Sequence, residues 1–150
     1  MNRKLVWLSS LFILVLIISG CNSDKKVENE MTLIMDTIVE TENDQYYYQL
    51  VEMLLANEKD PDLIKSSAKE TEEINKKLDD LTIKTDEGNE VLNYYKQAFN
   101  KREKVISTVK EEDFNEKVKD NFKKDIIEAE ENETIAMEII IDELNLKDIE

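Results

Sequence analysis

Histidine is absent from the 150 residues; cysteine, proline and tryptophan occur once each, and glycine twice. Without imidazole there is no His-dependent triad, no His proton shuttle and no His-ligated metal site. A lone cysteine, Cys21, forms no internal disulfide and no thiolate zinc cage. Past that cysteine the only glycine is Gly88 and the only proline Pro61. That supply cannot make the turns of a β-sandwich or a glycine-rich phosphate loop. What the chain does have is charge: 37% of its residues are charged, with a net −15. The composition favours helix.

The N-terminus is organised differently from the rest. Met1-Asn2-Arg3-Lys4 is short and positive, and residues 5–18 are apolar apart from Ser9 and Ser10. This run is shorter than the ~20 residues of a membrane-spanning helix, and it suits a signal-peptide core. It closes on Ile18-Ser19-Gly20-Cys21. A branched apolar residue and two small residues before a cysteine resemble the lipobox of bacterial lipoproteins. The resemblance implies diacylglyceryl transfer to the Cys21 thiol and cleavage between Gly20 and Cys21. It also implies attachment to the extracytoplasmic face of the cell membrane through acyl chains such as palmitate. The alternative, an uncleaved apolar helix with a free thiol, leaves an odd cysteine in an exported chain.

Removal of residues 1–20 takes away Arg3 and Lys4, leaving 18 basic against 35 acidic side chains, a net −17 on 130 residues. One small domain fits that length. So acidic a body should not bind nucleic acid, and anionic headgroups should repel it. The expected divisions are a signal peptide at 1–20, lipidated Cys21 with a flexible tether to residue 30, and a helical domain at 31–150.

Within that domain, Met31 to about Lys59 reads best as one long helix crossing a polar patch at 40–45. Two short helices meeting near Asn43-Asp44 are the other reading. Asp60-Pro61-Asp62 restarts the chain as a cap followed by proline at the first helical position. Ile64, Ser67, Thr71, Ile74, Leu78 and Leu81 then alternate in steps of three and four. Thr85 or Asp86 caps a third helix with the stripe Val91, Leu92, Tyr95, Ala98, Phe99, Arg102, Val105, Ile106 and Val109. Asp113 with Glu116 fits a capping box before the last helix. Its stripe is Phe114, Val118, Phe122, Ile126, Ala129, Ala136, Ile140 and Leu144, and residues 146–150 are expected to fray. Long amphipathic helices on short connections predict an all-α, antiparallel up-and-down bundle of about four helices. An oligomeric coiled coil would use the same seams.

Candidate sites are few. Tyr46-Tyr47-Tyr48 cannot all face one core, since successive helical side chains diverge by about 100°. With Tyr94 they form a candidate interaction patch, because aromatic rings with polar tips are common at interfaces. The bland alternative is tyrosines at a core edge. Asp125, Glu128, Glu130, Glu131 and Glu133 read as a solvated acidic face. Glu-x-x-His, the two-metal signature of bundles, is excluded by the missing histidine. An EF-hand loop built on Gly88 would need an acid where Ile83 stands. No catalytic residues, metal site or cofactor are expected, the diacylglycerol on Cys21 being the one covalent addition. Glycoside hydrolysis by paired carboxylates needs a cleft that such a bundle does not offer.

The expected function is therefore non-catalytic: a membrane-anchored protein presenting a helical surface to an envelope protein or the cell wall. The Lys/Glu-rich body is similar in composition, with no shared motif, to small cell-wall-binding lipoproteins of Gram-positive bacteria. The alternative is a module binding a small ligand or cation between its helices.

Overall fold

The computed structural model describes residues 22–41, 45–56, 58–111 and 116–144. Gly20, Cys21, the signal peptide, Asp113, Phe114 and residues 146–150 lie outside them, as do the side chains of Glu116 and Val118. The described chain is all-α: α1 (Asn22–Thr41), α2 (Tyr46–Leu55), α3 (Pro61–Asp80), α4 (Asp86–Glu111) and α5 (Glu116–Glu143). Among the described residues there is no strand.

The helix starts follow local chemistry. Asp60 Oδ1 accepts from the Asp62 and Leu63 amides at 2.9 and 3.2 Å, with Pro61 opening α3. Thr85 caps α4, its Oγ1 accepting from the Gly88 amide at 3.1 Å. The seams are buried as patterned: Ile64, Ser67, Thr71, Ile74 and Leu78 in α3, and all nine residues of the α4 stripe. On the solvent side of α3, Lys77 and Glu73 pair at 3.7 Å one turn apart.

Two expectations are corrected. Residues 22–30 are helical rather than a flexible tether, and Glu30 and Met31 are already buried. The stretch is too polar to hold a helix by its own apolar face. Tertiary contacts hold it: Val27 packs on the core, and Glu30 reaches the connection between α3 and α4. Residues 31–59 form two helices rather than one. Near the end of α1, Thr37 and Thr41 turn their hydroxyls back onto the Leu33 and Thr37 carbonyls, at 2.7 and 2.8 Å, a bonding that slightly weakens a helix. Gln45 then adopts a left-handed conformation, φ 53°, immediately before α2. An L-residue with a β-carbon occupies that region at a cost, and it cannot continue a right-handed helix.

The break lets α1 and α2 serve two different cores. Met31, Ile34 and Ile38 of α1 pack with Ile74 and Leu78, Val91 to Phe99, and Ala136 and Ile140. Tyr47, Leu50 and Leu54 of α2 pack with Ile64, with Val105, Ile106 and Val109, and with Phe122 and Ile126. The end of α3 thus meets α1 and its start meets α2, so α3 runs antiparallel to the α1–α2 pair. α4 runs back alongside, and α5 returns against it. This is an up-and-down bundle whose first column is broken in the middle.

One pole is locked by Glu30. Its Oε1 accepts from the Lys84 amide at 3.1 Å, and its Oε2 from the Thr85 amide at 2.9 Å and the Thr85 hydroxyl at 2.6 Å. The same hydroxyl therefore donates to α1 while accepting from α4. Gly88 sits beneath this clasp. A β-carbon there would lie 2.7 Å from Thr85 Oγ1, 2.8 Å from Ile83 Cγ2 and 3.0 Å from Glu30 Oε2. Those neighbours are tied to one another and cannot simply swing away. Alanine should improve helix propensity by about 1 kcal/mol, yet overpacking at a fixed site costs about 1–3 kcal/mol. Gly88→Ala is expected to lower the urea midpoint; a rise would show that the clasp yields.

Candidate functional site

At the level of the α1–α2 break, a charged cluster lies between the two cores. Arg102 occupies the middle of the α4 stripe and keeps 2% of its surface exposed. Glu133 of α5 falls between Ala129 and Ala136, at steps of four and three, so it faces inward like them. The Arg102 Nε donates to Glu133 Oε1 at 2.8 Å, and a terminal guanidinium nitrogen lies 2.7 Å from the same oxygen. That terminal nitrogen also donates to the Tyr48 hydroxyl at 2.8 Å, and Tyr48 donates onward to Glu133 Oε2 at 3.2 Å. The three side chains close a ring from α2, α4 and α5.

The guanidinium is also walled by aromatic rings. Its central carbon lies 4.4 Å from the Phe99 ring centroid, 4.6 Å from Tyr47 and 4.9 Å from Tyr48. Tyr47 and Tyr48 meet edge to face at 5.9 Å. Cation–π attraction strengthens as water is removed, so these contacts help to offset the desolvation of the charge. The Tyr47 hydroxyl is buried without a hydrogen-bond partner. Burial pushes its pKa upward, and the Arg102 charge opposes this only in part.

Beside this ring is a half-exposed ionic ladder between α4 and α5. Asp125, buried at 4% exposure, receives Lys104 at 2.7 Å and Lys101 at 3.5 Å. Lys101 also bonds Glu128, which raises the lysine pKa and lowers that of the carboxyl. Partial burial and the Glu133 charge raise Glu130, against a smaller pull from Arg102. The carboxylates of the acidic run thus divide between two kinds of cation-bound position and a solvated remainder.

The candidate interaction residues take different positions. Tyr47 is core, and Tyr48 is tied by its hydroxyl into the charged ring. Tyr46 is half-buried, while Tyr94 is half-buried against the α1 core. The structure brings Tyr47 and Tyr48 together around Arg102 and places Tyr94 with the other core. The expected solvated acidic face is corrected for Asp125, which is buried, and for Glu133, which faces Arg102, itself expected only as one more member of a stripe. The available signal was a charge of each sign on the inward register of neighbouring helices.

Arg102 and Glu133 neutralise one another, and Asp125 is held by two lysines. Among the described residues no three His, Cys, Asp or Glu side chains gather as a metal site. No helix among them is long and apolar enough to cross a membrane. The arrangement fixes how α2, α4 and α5 meet. It defines a helical bundle with a polar waist, and no family model, curated protein or solved structure matches the chain.

The Glu30 clasp adds a pH dependence. Burial works against its charge, but the bonds from Thr85 and Lys84, aided by Lys26, outweigh it and hold the carboxyl below its ordinary value near 4.5. A carboxyl lowered on folding stabilises the fold above its unfolded pKa and ceases to do so as pH falls through the folded one. The native protein should therefore lose stability below about pH 4.5 more steeply than Glu30→Gln does. Urea midpoints from pH 6 downward would show this; parallel curves would refute it.

Proposed function

We propose that the protein is a lipid-anchored, non-catalytic protein of the bacterial envelope, which presents the sides and far end of its bundle to another envelope component. The observation that carries this reading is Ile18-Ser19-Gly20-Cys21 at the end of an apolar run that begins behind Arg3-Lys4. A net −17 on the processed body supports attachment through acyl chains rather than through basic patches. The polar waist supports a scaffold role, since Arg102 and Glu133 are spent on one another and Asp125 on two lysines. Exposed Leu33, Val39, Leu55, Ile127 and Ile135 give the solvated surface isolated apolar contacts. A half-buried Tyr46 adds a ring at the edge of α2.

The test is growth with a clickable fatty acid, followed by cross-linking in intact cells and mass spectrometry. The reading expects a labelled protein in the membrane fraction, cross-linked to a recurrent envelope neighbour. An unlabelled protein in the cytosolic fraction would overturn it.

A further inference from the structure

The methionines past Cys21 are not equivalent. Met31 is fully buried, whereas Met35, Met53 and Met137 are half-buried and within reach of a small solute. Met35 packs along α1 against the first core, and its sulfur accepts from the Tyr95 hydroxyl of α4 at 3.3 Å. Tyr95 is itself buried, at 4% exposure, so a donor held by the core is aimed at a partly accessible sulfur. A thioether is only a weak acceptor. A sulfoxide oxygen at the same place would be a far stronger one.

We propose that Met35 is a reversible oxidation site, at which the Tyr95 hydroxyl receives the sulfoxide oxygen and keeps α1 docked. The oxidant is a peroxide, and hydrogen peroxide serves to write the step. A sulfur lone pair attacks one peroxide oxygen, the S–O bond forming as the O–O bond breaks. The departing hydroxide takes the proton of the sulfur-bound hydroxyl and leaves as water. Sulfur is oxidised by two electrons and the peroxide is reduced by two. A sulfoxide ordinarily disrupts its surroundings, because a flexible apolar side chain becomes polar. At Met35 the new oxygen has a donor close by, and the three rotatable bonds of methionine let it turn to that donor. α1 is also tied on either side of this position. Glu30 holds the Lys84 and Thr85 amides, and Thr41 Oγ1 accepts from Lys77 of α3 at 2.8 Å. The side chain can therefore adjust locally while the helix stays in place.

The experiment uses the full chain carrying Met53→Leu and Met137→Leu, which leaves Met35 as the half-buried methionine among the described residues. Folded protein is treated with hydrogen peroxide, and peptide mass mapping locates each added oxygen. Met35 should be oxidised while Met31 stays reduced, and the urea midpoint should fall only slightly. Tyr95→Phe in the same background keeps the ring and loses the donor. Oxidation should lower its midpoint at least twice as far. Sulfoxide reductases for both epimers, supplied with a dithiol, should restore both midpoints. Met35 left reduced in the folded protein would overturn the site, as would an equal fall with and without the Tyr95 hydroxyl. A fall that the reductases do not reverse would overturn its reversibility.

Discussion

Arg102→Ala should be the most damaging single change to the fold, destabilising it by about 3 kcal/mol or more. Three losses coincide at that position. Glu133 loses its cation, Tyr48 loses its donor, and the space between the Phe99, Tyr47 and Tyr48 rings is emptied. Breaking a buried ion pair from one side costs about 3–5 kcal/mol, because the remaining charge is left uncompensated. The lower end applies, since the Glu133 side chain keeps 19% of its exposure and can recruit water. Even so, that is a large share of the 5–15 kcal/mol typical of a small domain. Urea unfolding measures it directly. Arg102→Lys should fall between the two, because lysine keeps the charge but loses the planar fork and the ring stacking. Arg102→Met combined with Glu133→Leu should recover much of the loss, as apolar replacement of a buried pair often does. Lys101→Ala, at the solvent side, should barely shift the midpoint. An Arg102→Ala protein as stable as the native one would show that the ring contributes no stability.

Cys21→Ala should produce an all-or-none biochemical change. The thiol is the acceptor for the diacylglyceryl group under the lipobox reading, and alanine offers no nucleophile. Incorporated fatty-acid label is expected to fall to background. The precursor should also keep its first 20 residues, because processing at Gly20 follows lipid addition, and intact mass would report this. Normal labelling of Cys21→Ala would refute the assignment outright. The variant should fold normally in its body, so its helical circular dichroism is the control that separates lost anchoring from lost structure. Acyl chains matter here because each buried methylene contributes about 0.8 kcal/mol to membrane attachment. The described helices provide no spanning segment that could substitute for them.

Most of the bundle was readable from periodicity and capping. The α4 stripe ran from Val91 to Val109 without a false position, and Asp60-Pro61 marked the start of α3. The two failures have different causes, one distant and one local. Nothing local tells that Glu30 will be buried, because its donors are the Lys84 and Thr85 amides, 54 and 55 residues away. The break before α2 also lacks the usual mark. A left-handed residue is most often glycine or asparagine, and here it is Gln45. Glu133 stayed hidden because it sits in a run of acids whose neighbours do face water. Its meaning emerges only when Arg102 of another helix is placed opposite it.

The broken first column has a further consequence, for the order in which the molecule lets go. α2 has ten residues, under the length at which an isolated helix holds together in water. Its order is borrowed from Tyr47, Leu50 and Leu54 in the second core and from the grip of Arg102 on Tyr48. α4 and α5 are more than twice as long and face each other along much of their length. The weakest cooperative unit among the described helices thus lies mid-chain, and opening it would bare Arg102 and three aromatic rings at once.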